Sequence, residues 1–272
     1  MNPRIFLKFA FVAVLILSFM NLILPSSIAG IYAINMMLLA LFIAFLLSIK
    51  VAFCYERELR KVFLYLAPFI LLLMLVNIPQ FWDIIYSIFG TFSYISLIIA
   101  GIAYILLIMS CRNILKITDF REMDKIEWAV IILMFIIGNY ITFFFLLNYQ
   151  LEFNVDVLTK LLFRIIDNAV VLMLLPIIFI YRKQSKKENR ESVTFSIMII
   201  GIIISTIGDY LYEIFTTISH QELSSEFHKG TFLDSIYILS YLLIALGLFV
   251  HFNYYKWTMK QIDLTKLDFK FD

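Results

Sequence analysis

The sequence predicts an all-α integral membrane protein of eight transmembrane helices, arranged as two parallel four-helix repeats. Three observations lead there: a composition more apolar than a soluble globule needs, eight apolar runs of membrane-crossing length, and a lopsided distribution of Lys and Arg.

Of the 272 residues, 62% are hydrophobic and 15% are charged, against about 45–50% and about 25% in soluble domains. The excess apolar surface has to face lipid. A net charge of +2, with no basic patch interleaved with aromatics, excludes a nucleic-acid partner. Cys54 and Cys111 are too few for a disulfide framework. His220, His228 and His251 fall at no metal-ligand spacing, and no nucleotide-binding, zinc-protease or serine-hydrolase motif occurs. No catalytic residue, metal site or cofactor is therefore assigned.

A span needs about 20 apolar residues. The runs lie at 5–24, 30–54, 62–89, 91–111, 127–148, 161–181, 193–215 and 231–255. The third is long and contains Pro68 and Pro79, so a kink or tilt is expected there. Nineteen of the 22 Lys and Arg fall on one side of this layout, in the N-terminus, the even-to-odd connections and the tail. Only Lys160, Arg164 and Lys229 fall on or near the other. The positive-inside rule then places both termini in the cytoplasm of an inner cell membrane, with Cys54 and Cys111 as reduced thiols at cytoplasmic helix ends. Residues 1–29 also read as a signal peptide, with Arg4 and Lys8 before an apolar run and Ser27-Ile28-Ala29 before Gly30. Cleavage there would leave seven spans.

Asp83–Phe89 and Asp209–Phe215 share the pattern D-x-x-Y-x-I-F near the end of a span, and Gly90-Thr91-Phe92 matches Gly230-Thr231-Phe232. Asn35 and Asn168, like Asn21 and Asn139, occupy similar places in paired runs. Four spans per half give a parallel repeat about the membrane normal. The expected units are 1–111, a cytoplasmic linker 112–126, 127–255, and a short cytoplasmic tail 256–272. Residues 216–229, with His220, Glu222, Glu226 and His228, are inserted in the second half only and read as an outer loop over a site.

Ionisable groups within a span cost about 2.5–3.5 kcal/mol each on insertion scales. The second half carries Arg164, Asp167 and Asn168 on run six. Run seven carries Ser205, Asp209, Tyr212 and Glu213, and run eight carries Asp234, Tyr237 and Tyr241. Each set forms one helical stripe. At about 1.5 Å per residue, Asp167 and Asp209 both lie about 9 Å from the outer end. The stripes are read as one ligand site. Pairing Arg164 with Asp167 leaves Asp209 and Asp234 as an unpaired couple, which favours a cationic or proton-linked ligand. A purely structural reading pairs Arg164 with Asp167, makes Asp234 a helix cap and makes the tyrosines packing residues.

The stretch Gly208-Asp209-Tyr210-Leu211-Tyr212, a loop, and then Leu233–Leu243 resembles the membrane sensor regions that precede diguanylate cyclase or histidine kinase domains. Those regions show a D-x-x-Y span end and an L-D-x-x-[YW] span start. The resemblance implies a sensor-like module that binds a small ligand from outside. Here only the 17 residues Lys256–Asp272 follow the last span, so signalling would pass through a cytoplasmic partner. A small transporter is the first rival, and a membrane enzyme using Asp209, Glu213 and Asp234 with a metal is the second.

Overall fold

Prolines and short polar turns cut the apolar sequence into helices. The computed structural model describes residues 3–89, 93–118, 120–149, 155–185, 191–219 and 230–268, and all regular structure among them is helical. Helix α1 (Pro3–Phe19) ends in a 3-10 turn, Met20–Leu22, and α2 (Ser26–Cys54) restarts behind Pro25. Then come α3 (Arg57–Val76), α4 (Pro79–Phe89), α5 (Ser93–Ile117), α6 (Lys125–Tyr149), α7 (Val155–Ser185), α8 (Glu191–Ser219) and α9 (Phe232–Asp268).

The long third run breaks instead of bending. Pro68 sits inside α3 without interrupting it, whereas Pro79 begins a separate helix. Proline supplies no N–H and disfavours helical backbone at the residue before it. The helix stops at Asn77, whose N–H bonds back to Leu73 O at 3.2 Å and whose Nδ2 donates to the same carbonyl at 2.7 Å, while the Ile78 N–H bonds to Leu75 O at 3.1 Å. Helix α4 has 11 residues, about half of what a crossing needs.

Among the described residues, six helical segments are long and apolar enough to cross a bilayer: Ser26–Cys54, Arg57–Val76, Ile98–Ile117, Leu161–Tyr181, Phe195–Tyr212 and Phe232–Asn253. The chain is thus a polytopic helical membrane protein by length and composition. The apolar stretch of α1, Phe6–Leu22, is shorter. Two expected boundaries move. Helix α8 runs to Ser219, past the expected loop start at 216, and α9 stays helical to Asp268, through most of the expected tail. Gly90–Phe92, the charged residues 186–190, and residues 220–229 with His220, Glu222, Glu226 and His228 lie outside the described residues.

The six segments close a ring in the order α2, α3, α5, α7, α8, α9, with α9 returning to α2. Helix α1 packs outside on α9, and α6 outside on α7 and α8. Within the ring α9 is the most buried member, held between α2 and α8 with α1 behind it: 83% of its span is buried, against 33–39% in the other five. It is held by close backbone approach. A Cβ on Gly247 would come 2.7 Å from Met198 N, and one on Gly201 would come 2.8 Å from Ser240 O. Ala33, Ala40, Ala44, Ser48 and Ala52 form a buried face of α2, the small-residue surface that lets helices approach in lipid.

The end of the ring at which α2, α5, α7 and α9 begin is here termed the upper end. There, Asn21 Nδ2 donates to Thr231 O at 2.8 Å, and Ser235 Oγ donates to Asn21 Oδ1 at 2.7 Å, tying α1 to α9. Gly230 takes φ +82° directly against Ala29, a conformation and a space that together favour glycine. At the lower end His251 is buried against the rings of Tyr55, Phe63 and Phe195, at 5.0, 5.3 and 4.5 Å. In the last turn of α7, Lys183 Nζ donates to Asp124 and Glu127 at 2.8 Å each, and these bonds, the one to Asp124 first, hold the ammonium pKa above its usual value.

Candidate functional site

The polar side chains of the second half meet inside the ring, joined by partners from the first. On α7, Arg164 Nη1 donates to Asp167 Oδ2 at 2.7 Å, one turn along the same helix. Asp167 is 2% exposed and Arg164 is 12% exposed, so the pair sits in a dry setting. The other oxygen of Asp167 accepts from the Tyr104 hydroxyl of α5, and the Tyr104 ring stacks on Phe163 at 5.4 Å. On α8, Asp209 Oδ1 accepts from the Tyr237 hydroxyl of α9 at 2.6 Å. Asp209 lies within electrostatic reach of Asp167, Arg164, Tyr104 and Tyr241. Asn77, at the end of α3, and Ser205 stand beside the Tyr241 hydroxyl.

A second strand of contacts binds the outer helix α6. Asn168 Nδ2 donates to Asn139 Oδ1 at 3.1 Å, and Asn168 Oδ1 accepts from the Tyr210 hydroxyl. The Arg164 guanidinium lies 5.5 Å over the Tyr210 ring, a cation–π arrangement that replaces part of the lost hydration. Gly138 of α6 permits this docking, since a Cβ there would come 2.7 Å from Asn168 Oδ1.

Five helices of the ring thus contribute: α3, α5, α7, α8 and α9. Asp167 lies twelve residues after the start of α7 and Asp209 ten residues before the end of α8, about 15–18 Å along the axes at about 1.5 Å per residue. Within the apolar segments Leu161–Tyr181 and Phe195–Tyr212 they lie six and three residues from the upper ends.

Of the residues expected to form the site, the structure brings Arg164, Asp167, Asn168, Asp209, Tyr237 and Tyr241 together. Tyr212 is half-buried and packs against the main core. Glu213 is in α8, but its side chain lies outside the described residues. Asp234 is fully buried and its Oδ2 accepts from the Gly230 and Thr231 N–H groups at 2.8 and 3.0 Å. It caps the start of α9, where a carboxylate suits the free amides and the positive helix end. In place of an Asp209–Asp234 couple, the acidic neighbour of Asp209 is Asp167. Tyr104, Tyr210 and Asn77 belong to the group without having been expected in it. Tyr104 had a signal, being the one hydroxyl in the aliphatic stretch Gly101–Ile108.

No family model, curated protein or solved structure matches this chain. What the site does therefore rests on its own chemistry. Arg164, Asp167 and Asp209, all ionised, sum to one net negative charge. Among the described residues no three of His, Cys, Asp and Glu converge as a metal set.

Proposed function

We propose that the chain is an eight-span, sensor-like module of an inner membrane that takes a small cationic or proton-linked ligand from its outer, upper face at the Arg164–Asp167–Asp209 group. The observation carrying this reading is how the polar groups are distributed. The carboxylates and the guanidinium lie in the upper half of the ring, while below them, apart from Asn113 and His251, the interior is filled by apolar side chains such as Leu41, Leu66, Leu107, Leu174, Ile199 and Leu248, all buried. The serines of that lower half turn onto backbone, Ser48 to Phe45 O and Ser110 to Val62 O. A ligand reaching the group from above meets a dry floor, which suits a receptor better than a carrier.

The eight-span count adds α1 and the 25-residue α6 to the six segments, with the Lys and Arg bias setting the termini inside. The ring order favours the parallel repeat. Exchanging α2, α3 and α5 with α7, α8 and α9 leaves every ring contact in place. The outer helices depart from it, because α1 lies on α9 whereas α6 lies on α7 and α8 instead of α5. Helix α9 links the site to the cytoplasm. It bears Tyr237 and Tyr241 and continues to Asp268, where a signalling partner would engage it, in keeping with the resemblance to sensor regions.

The test uses purified protein with sodium, potassium, methylammonium and choline as probes. At least one should raise the unfolding temperature, since a ligand at about 100 times its Kd stabilises by about 2.7 kcal/mol. Proteoliposomes loaded with the chain should not accumulate the same ion. Accumulation would replace the sensor by a small transporter, and indifference to every probe would favour a purely structural polar group.

A further inference from the structure

The lower ends of α2, α3 and α5 form a basic surface. Lys50 lies in the last turns of α2, Arg57, Arg60 and Lys61 open α3, and Arg112 and Lys116 close α5, all of them exposed. Between α3 and α5, three of these cations stand around one carboxylate. Lys61 Nζ donates to Glu58 Oε1 at 2.9 Å, Lys116 Nζ is 3.9 Å from Glu58 Oε2, and Arg112 lies within electrostatic reach of the same group. At 3.9 Å the Lys116 ammonium is attracted but makes no hydrogen bond. Glu58 balances one of the three, so the cleft keeps two positive charges. Across the whole surface six Lys and Arg stand against Glu56 and Glu58. Asp119, which follows α5, lies outside the described residues, and counting it still leaves an excess of three positive charges.

A second observation is what adjoins this charge. The exposed face of α3 runs Arg57, Arg60, Lys61 and then Leu64, at i, i+3, i+4 and i+7. On α5 the exposed face runs upward from Lys116 through Arg112 to Ile105. Leu64 lies seven residues above Arg57 and Ile105 seven above Arg112, about 10 Å in each case. Beside them Phe53 is 73% exposed, with the Arg60 guanidinium 5.7 Å over its ring. Each cationic face thus passes into an apolar one on the same side of its helix. A soluble anion would use the charge alone. A molecule with an acidic head and apolar tails matches both parts.

We infer that the lower α3–α5 cleft binds an anionic phospholipid, with the headgroup phosphate between Lys61, Arg112 and Lys116 and the acyl chains along Leu64 and Ile105. Basic pockets between spanning helices recognise such headgroups, and the long Lys and Arg stems cover apolar surface while their charged ends stay at the interface. Orientation of the chain asks only for positive charge on this side of the membrane. It does not ask for charge gathered from two helices around one acid. The cleft is separate from the Arg164–Asp167–Asp209 group, so neither reading depends on the other.

The experiment measures lipid retained by the whole purified chain in native mass spectrometry, with phosphatidylglycerol and phosphatidylcholine of identical acyl chains as probes. Phosphatidylglycerol should bind about tenfold more tightly or better. Arg112→Gln combined with Lys116→Gln should abolish that preference, at about fivefold per cation. Lys8→Gln combined with Lys125→Gln removes the same charge from the lower ends of α1 and α6 and should leave the preference intact. Glu58→Gln should strengthen phosphatidylglycerol binding about fivefold, a gain that no folding defect would produce. Inorganic phosphate in excess should not displace the lipid. Equal retention of the two lipids, or equal losses in the two double variants, overturns the site and leaves charges that only orient the chain. Displacement by inorganic phosphate overturns it in favour of a soluble anion.

Discussion

Asp83 and Asp209 begin the same seven-residue pattern, D-x-x-Y-x-I-F, and end in opposite surroundings. Asp83 lies on the short α4 and is exposed. Asp209 lies within the unbroken α8, bonded to Tyr237 and in reach of Arg164. The letters around the two carboxylates are alike; what differs lies one turn earlier. Pro79 stands four residues before Asp83, and Ser205 stands four residues before Asp209. Proline ends α3 at Asn77 and starts a new helix, whereas serine lets α8 run on. A single backbone constraint thus separates a surface acid from one inside the ring, and it also leaves Asn77 at the level of Tyr241.

The sharpest way to break this comparison is to remove a carboxylate from each setting. Asp167→Ala strips Arg164 of its partner in a dry site and should cost about 3–5 kcal/mol in reversible unfolding in micelles. Asp83→Ala should stay within about 0.5 kcal/mol of the native chain. Similar losses at both would mean that Asp83 is as integrated as its counterpart.

Glycines test the contrast between the most buried helix of the ring and the rest. Gly247→Ala puts a Cβ 2.7 Å from Met198 N and should cost about 1–3 kcal/mol by overpacking. On α5, by contrast, a Cβ at Gly101 meets nothing within 4 Å. Gly101→Ala should therefore stabilise by about 0.5–1 kcal/mol through the helix alone. Opposite signs support the buried α9 and open α5; equal signs contradict it.

Labelling tests the same difference without a stability readout. In a background with Cys54 and Cys111 replaced, an impermeant thiol reagent added outside should modify Asp83→Cys readily and Asp209→Cys hardly at all. Adding Pro79→Ala should slow the reaction at position 83, because it lets α3 continue towards α4.

The helical class was legible from hydropathy alone, since lipid-facing runs need no partner to be recognised. Arg164 with Asp167 was legible too, because an i, i+3 pair of opposite charge meets on any helix. Asp234 was not, because the same residue type at a span start serves a cap or a site, and only the Gly230 and Thr231 amides decide between them. Tyr104 and Asn77 join through contacts between helices distant in sequence, which no periodicity encodes.

The central claim is that the buried acids serve a ligand and are not structural props. The most direct measurement is the thermal unfolding of Asp209→Asn beside the native chain, with and without the stabilising cation. Neutralising the surplus charge keeps the shape of the side chain and its bond to Tyr237. The variant should therefore unfold at the same temperature as the ligand-free native chain or higher, and the cation should no longer shift it. A variant that unfolds well below the native chain, or that is still stabilised by the cation as strongly as before, would contradict the account.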